Sequence, residues 1–375
     1  MMRLTGVWPK LSPHGRTQGD VVIHIIELEH YFCPATATVR EVLARLNATE
    51  HLFQLVIDAN ALLLGTVTDG DIRRAILSGA TLDDSAMACL HQNPVTGRIG
   101  YDLGNLEKIR RLGSVRAFLP VLDRSGRVRE VIASGEAVSR VASALVMAGG
   151  PGTRLGERTR KTPKPLLRVA ARPILDHVLT ALEDGGVSDI HVSVHYLAEQ
   201  IEAFVEKRKS RARINLLREG ERRGTIGALA LLPKPPHQPI LVVNGDVITR
   251  TDYAALGAFH ARHGFDATIG VARHEMDIPF GVVHQTEEGL FDRIDEKPRV
   301  SHFVASGIYL LNPTFAALVP SDRPMDMPEL LNQGRALGLV IGLFPIHEYW
   351  IDVGRPHDLE AADRDLLAAG PRSKS

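Results

Sequence analysis

The sequence predicts an α/β protein: a mainly parallel sheet covered by helices in its C-terminal part, preceded by a smaller α+β unit. Three observations carry this. From Ser143 onward, short apolar runs alternate with helical periodicities, the order expected of a chain of βα units. Between residues 20 and 140, a pattern of helix, two strands and helix occurs twice, at a spacing of roughly sixty-five residues. The hydrophobic content of 44% and charged content of 23% are ordinary for a globular chain, and 375 residues are enough for two or three domains.

The elements follow in order. Residues 1–19 are polar, with Gly and Pro, and read as a flexible tail. "DVVIHII" reads as a strand, and "TVREVLARLNATE" as a helix with Val39, Val42, Leu43 and Leu46 on one face. Gln54–Ile57 and Leu62–Val67 read as strands around the turn Asp58–Asn60, and Asp71–Leu77 as a helix stopped at Gly79. In the second round "YDLGNLEKIRRLG" is helical, "AFLPVLD" and "RVREVIA" are strands around "RSG", and "GEAVSRVA" is helical. After the buried-type run "ALVMA" come a helix from Pro173 to Glu183, the strand "DIHVSVHY" and the helix "LAEQIEAFVEKRK". The strand "RINLLRE", a helix in "TIGALALL" and the strand "PILVVNGD" precede the helix "YAALGAFHARHG" and the strand "DATIGVA". The domain reading is 20–140 for the repeat, 143–367 for the sheet and 368–375 for a second tail.

Bulk properties narrow the function. Lys plus Arg equals Asp plus Glu, at 44 each, so no global field favours nucleic acid or an anionic membrane. No apolar run reaches the roughly 18 residues of a membrane span, and the N-terminus has no apolar leader. Cys33 and Cys89 stand alone, without zinc spacing, and read as reduced structural residues. The sixteen histidines show no metal spacing. These features together predict a cytoplasmic protein.

The chemistry lies in "ALVMAGGPGTRLGERTRKTPKPLL". Gly149, Gly150 and Gly152 let backbone N–H groups turn toward an anion, and Thr153 and Arg154 add side-chain donors. Six Arg or Lys residues fall within about fifteen positions from Arg154. Lys164 is held between Pro163 and Pro165, a stiff segment suited to placing one positive charge. The loop lacks the Gly-Lys-[Ser/Thr] ending of a Walker loop, and its GGxG spacing differs from the dinucleotide fingerprint. Two cations beside such a loop point to a nucleoside triphosphate under attack.

"AGGPGTRL" followed by "TPKPLL" resembles the signature of the sugar-1-phosphate nucleotidyltransferases. "EGERRGTIGAL", "VVNGD", "IPFGVV", "IDEKP", "ASGIYLLNP" and "YWIDVGRPHDL" continue the resemblance in order, over about 143–365. It implies a Rossmann-like nucleotidyltransferase sheet and a Mg²⁺-dependent in-line attack by a sugar phosphate on the α-phosphorus, with pyrophosphate leaving. By resemblance Arg154 neutralises the phosphates, Lys164 orients the sugar phosphate, and Asp246 and Asp352 hold the metal. Glu219, Gly224 and Thr225 would bind the nucleotide, with Glu219 near the base. An acceptor-only carboxylate suits the paired donors of guanine, so GTP is favoured over UTP, dTTP or CTP. The alternative for Thr225 is a cap on the following helix. Gly281, Glu296, Lys297 and Gly307 resemble the sugar site.

"GTVTDGDIRRAI" resembles the CBS domain, which occurs in tandem and often binds adenine nucleotides. Thr68 and Asp71 fit its ribose-binding positions; Ala133 and Glu136 stand there in the second copy, where a methyl replaces a hydroxyl. This implies AMP or ATP at one site or none, and self-association into a homo-oligomer. The fusion is similar to CBS-linked guanylyltransferases of nonulosonic acid pathways, which implies an amino- or N-acetylhexosamine 1-phosphate; mannose 1-phosphate is the other reading. A non-catalytic nucleotide-sensing module is the alternative from a different class.

Overall fold

The computed structural model describes residues 22–49, 51–112, 117–134 and 141–368. The chain divides into two compact units, 1–139 and 140–375.

The N-terminal unit opens with strands β1 (Val22–Ile25) and β2 (Phe32–Pro34) and helix α1 (Val39–Asn47). Thr38 caps α1 in a reciprocal capping box with Glu41. The hairpin β3 (Phe53–Ile57) and β4 (Leu63–Thr68) leads into α2 (Asp69–Leu77), which Thr68 and Asp71 cap in the same way. The second round is β5 (Gly97–Arg98), α3 (Asp102–Leu112), β6 (Phe118–Leu122) and β7 (Val128–Ser134). Two small sheets result, β2-β3-β4 and β1-β7-β6-β5. They meet through Phe53 and Phe118, stacked with ring centroids 4.3 Å apart, and through a shared apolar cluster of Leu55, Val128 and Val131. The helix read in "GEAVSRVA" begins with residues 135–140, outside the described residues. Both cysteines are free and lie in one buried cluster, where burial pushes the Cys89 thiol up to about 11.

In the C-terminal unit β8 (Ser143–Met147) is followed by the short pair β9 (Arg168–Val169) and β10 (Arg172–Pro173). Then come α4 (Ile174–Asp184), β11 (Asp189–Val194), α5 (Ala198–Lys207), β12 (Arg213–Arg218), β13 (Ile240–Asn244), β14 (Val247–Thr249) and α6 (Tyr253–His263). The long strands β15 (Ala267–Asp277) and β18 (Arg299–Leu311) enclose the hairpin β16 (Val282–Gln285) and β17 (Phe291–Asp295). Helices α7 (Pro313–Ala316) and α8 (Met327–Ala336), strands β19 (Ile341–Ile346) and β20 (Trp350–Asp352), and α9 (Pro356–Ala368) complete it.

The main sheet has the order β12-β11-β8-β13-β18-β15-β19. It is parallel except at β18, which runs antiparallel to both β13 and β15. Its central strands β8, β11 and β13 are buried on both faces, and the period of two sorts their side chains. Ala144, Val146, Leu241, Val243, Ile308 and Leu310 enter one core, beneath α4 and α6. Leu145, Ile240, Val242, Tyr309 and Leu311 enter the other, beneath α8.

Two local expectations change. Pro173 is the cap residue of α4 rather than its first helical residue. "TIGALALL" forms only a 3-10 turn, Gly227–Leu231. The Thr225 hydroxyl caps no residue of that turn; it accepts instead from the Met327 N–H at 2.8 Å, at the start of α8. The Thr225 N–H donates to Asp326 Oδ1, also at 2.8 Å. The chain is thus pinned to a distant helix end, and the local turn stays short.

Candidate functional site

The parallel strands β8 and β13 end side by side, with Met147 opposite Asn244. Their following loops meet where the Gly245 N–H donates to the Met147 carbonyl at 2.9 Å. Ligands of open α/β sheets bind at this end. A cleft of about 360 Å³ opens here, lined by the glycine loop, the Lys164 segment, the Asp246 turn and Asp352.

Each glycine of the loop has its own reason. A Cβ at Gly149 would lie 3.0 Å from Glu219 Oε1 and 3.3 Å from His195 Cβ, so the loop passes tightly over the residues that follow β11 and β12. Gly150 meets nothing within 4 Å and faces the cleft. Gly152 is left-handed, with φ 63°, and leads into the 3-10 turn Thr153–Thr159. The Thr159 hydroxyl makes 3.1 Å bonds to the carbonyls of Gly152 and Gly156, fixing the turn. Thr153 and Arg154 line the cleft and are exposed. Arg154 makes no hydrogen bond or ion pair among the described residues.

Asp246 and Asp352, a hundred residues apart, are joined by the antiparallel pair β14–β20. Val247 is the register partner of Asp352, and the Val353 N–H donates to the Asp246 carbonyl at 3.1 Å. Lys164 Nζ bonds Asp246 Oδ2 and lies 4.0 Å from Asp352 Oδ1. Asp246 Oδ1 is buried without a hydrogen-bond partner. Partial burial, then the Asp246 carboxylate, push the Asp352 carboxyl up to about 6, against the pull of Lys164 and Arg154. These two aspartates are the oxygen donors able to hold a hard cation here. No group of three or more His, Cys, Asp or Glu suited to a metal occurs among the described residues.

The expected residues divide. Gly150, Gly152, Thr153, Arg154, Lys164, Thr225, Asp246 and Asp352 line this one cleft. Glu219 stands behind Gly149, 6% exposed, and its carboxylate accepts from Ser193 Oγ at 2.8 Å and the Arg223 N–H at 3.0 Å. Gly224 has φ +79°, and a Cβ there would lie 2.4 Å from the Met325 carbonyl. Gly281 and Glu296 flank the open end of the β16–β17 hairpin, with Lys297 left-handed at φ 47°. Gly307, at φ +74°, makes room for the Asn244 side chain. Sequence reasoning missed Arg222 and Asn244, which also line the cleft. Arg222 is hidden in the run "REGERR", where nothing separates it from surface charge. In the N-terminal unit Asp71 Oδ2 accepts from the Thr68 N–H at 2.8 Å and its hydroxyl at 2.6 Å, and Arg74 pairs with Oδ1.

Among the described residues no helix is long and apolar enough to cross a membrane. A CBS domain model matches residues 23–78. Among curated relatives, a mannose-1-phosphate guanyltransferase of Schizosaccharomyces pombe is 35% identical over 224 residues, covering 57% of this chain and 61% of that one. A mannose-1-phosphate guanylyltransferase catalytic subunit beta of Drosophila melanogaster is 35% identical over 233 residues, covering 59% and 62%. This chain therefore spans about three fifths of the length of these relatives. The solved HddC structure from Yersinia pseudotuberculosis covers 60% of this chain and 99% of its own, with 26% identity and a TM-score of 0.47. The glycine loop, the lysine between prolines and the paired aspartates all fall inside residues 143–369, which the nucleotidyl transferase family model matches; the chain belongs to that family.

Proposed function

We propose that the chain transfers a nucleoside monophosphate from a triphosphate to a hexose 1-phosphate, releasing pyrophosphate. One observation carries the reading: three cations, Arg154, Lys164 and Arg222, and two carboxylates, Asp246 and Asp352, surround a single cleft at the ends of parallel strands. Such a cleft suits two polyanions that must be brought together. Positioning and charge neutralisation supply the rate, and no protein nucleophile is needed.

Mg²⁺ suits the donor set: two carboxylates, one with a buried oxygen lacking a partner, leave room for the phosphate oxygens this ion prefers. When bound it offsets the mutual repulsion of the two substrates' phosphates. The Gly150–Thr153 backbone and the Arg154 guanidinium bind the triphosphate, and Lys164 directs the sugar phosphate. Gly281, Glu296 and Lys297 form the hexose end, with Gly307 shaping the strand beside Asn244.

GTP is the donor we favour. The named relatives are guanylyltransferases. The same names favour mannose 1-phosphate, with amino- and N-acetylhexosamine phosphates as the other arm of the test. The N-terminal unit, as a CBS pair, would take AMP or ATP at Thr68 and Asp71. The experiment is pyrophosphate release from a matrix of GTP, UTP, dTTP and CTP against these sugar phosphates. Highest release with GTP and mannose 1-phosphate is expected. No release from any pair overturns the transferase reading in favour of a nucleotide-sensing module.

A further inference from the structure

We propose that the Lys164 ammonium is a placeholder for the divalent cation: it occupies the gap between Asp246 and Asp352 in the substrate-free chain and must leave before a metal can enter. The inference rests on the transferase reading of this cleft and concerns the order in which that site fills.

Nζ bonds Asp246 Oδ2 and approaches Asp352 Oδ1 to 4.0 Å, with the lysine side chain only 13% exposed. The ammonium lies between two carboxylates, and the buried Oδ1 of Asp246 is left without a partner. The pair therefore retains one unused acceptor. A divalent cation entering while Nζ stayed would place like charges side by side, which is unfavourable.

The backbone of Lys164 cannot move aside. Pro163 and Pro165 flank it, the Leu167 N–H donates to its carbonyl at 3.1 Å, and the Leu166 N–H donates to Pro163 O at 2.8 Å. The base of its side chain sits on Gly152, where an added Cβ would lie 2.9 Å from Lys164 Cβ. Only the outer torsions of the side chain are free, and they pivot beside the glycine loop. An anionic substrate at that loop competes with the carboxylates for Nζ. Drawing the ammonium away exposes both aspartates, so anion and metal affinities rise together, and linkage makes the effect reciprocal. A lysine that merely braced the site would do the opposite, since its loss would disorder the carboxylates and weaken metal binding.

The test is a Mn²⁺ titration of the full chain without nucleotide, followed by electron paramagnetic resonance, for wild type, K164M and K164Q. Both variants are expected to bind Mn²⁺ about 5- to 150-fold more tightly than wild type, the span of ordinary coupling energies. Equal or weaker binding in both overturns the proposal. A wild-type measurement needs no variant to fold. At Mn²⁺ concentrations that the titration shows to be bound, acetic anhydride is expected to label Lys164 faster, as read by mass spectrometry. Unchanged or slower labelling overturns it too. Pyrophosphate release by wild type, assayed in parallel, separates the two readings. If release is present and the variants bind no tighter, only the placeholder fails. If release is absent from every substrate pair, the transferase reading fails with it.

Discussion

Arg154 is exposed, unpaired and at the mouth of the cleft, so its substitution tests chemistry with little effect on folding. R154A is expected to lower kcat by about 10²-fold or more, the usual effect of removing one stabiliser of developing oxyanion charge, with an unchanged melting temperature. Near-normal turnover would remove Arg154 from the transition state. Glu219 is the contrasting residue. It is buried, and both its oxygens are already engaged by Ser193 and Arg223. E219Q puts an amide donor against one of those donors and is expected to cost about 1–3 kcal/mol in chemical denaturation. The same variant, assayed with GTP and UTP, tests base reading; an unchanged preference would leave Glu219 a loop support alone. The glycine loop and the lysine between prolines were legible because Gly and Pro act on their own backbone. The burial of Glu219 was not, since "REGERR" reads as solvated charge until β11 and β12 close over it. Nor was the packing of Gly224 on Met325 and of Gly307 on Asn244, because both contacts join distant parts of the chain.

At the scale of elements, the succession of the longer strands and helices from β8 to β15 was legible from the alternation of periodicities, but the site depends on a pairing that no local pattern announces. β14 and β20 are three residues each, too short to carry a period, and their pairing alone sets Asp352 beside Asp246. A second long-range tie fastens the ends of α4 and α5. Arg208, its side chain 8% exposed, bonds Glu183 Oε1 at 2.7 Å and Asp176 Oδ1 at 2.8 Å, with Glu183 4% exposed. Burial by itself would raise the Glu183 pKa; hydrogen bonds from Arg208 and Ser210 outweigh it and bring the group down to about 2. R208M removes the one cation shared by both acids but leaves Arg172 on Asp176 and Ser210 and the Arg211 N–H on Glu183, so it is expected to cost about 1–3 kcal/mol, the range for losing hydrogen bonds to charged groups. The pH sign follows. A carboxyl lowered in the folded state stabilises above its unfolded pKa of about 4.3, and that stability is lost as pH falls from there toward 2. Wild type should therefore lose stability through that window, and R208M should lose less, as urea midpoints at stepped pH would show. Parallel slopes would mean that the ion pair contributes nothing net.

The whole molecule joins a nucleotidyl transferase unit to a unit in which a CBS domain model matches residues 23–78. In that stretch the Asp71 carboxylate is filled by Thr68 and Arg74, so an incoming ribose must share or displace those bonds. ATP or AMP is expected to stabilise the N-terminal unit, by about 2.7 kcal/mol at a hundredfold excess over Kd. T68V loses the cap, at about 1 kcal/mol, and should also lose that stabilisation. Calorimetry is the measurement, because two compact units need not unfold in one transition. If the nucleotide then regulates transfer, thermodynamics constrains how. Whatever factor ATP applies to GTP affinity, GTP must apply to ATP affinity. Titrating ATP calorimetrically with and without saturating GTP should give two Kd values in that same ratio. The D71A variant should abolish the ATP isotherm in both titrations. Identical ATP affinities in the two titrations, with GTP still turned over, would make the N-terminal unit energetically independent of catalysis and leave it a role in assembly alone.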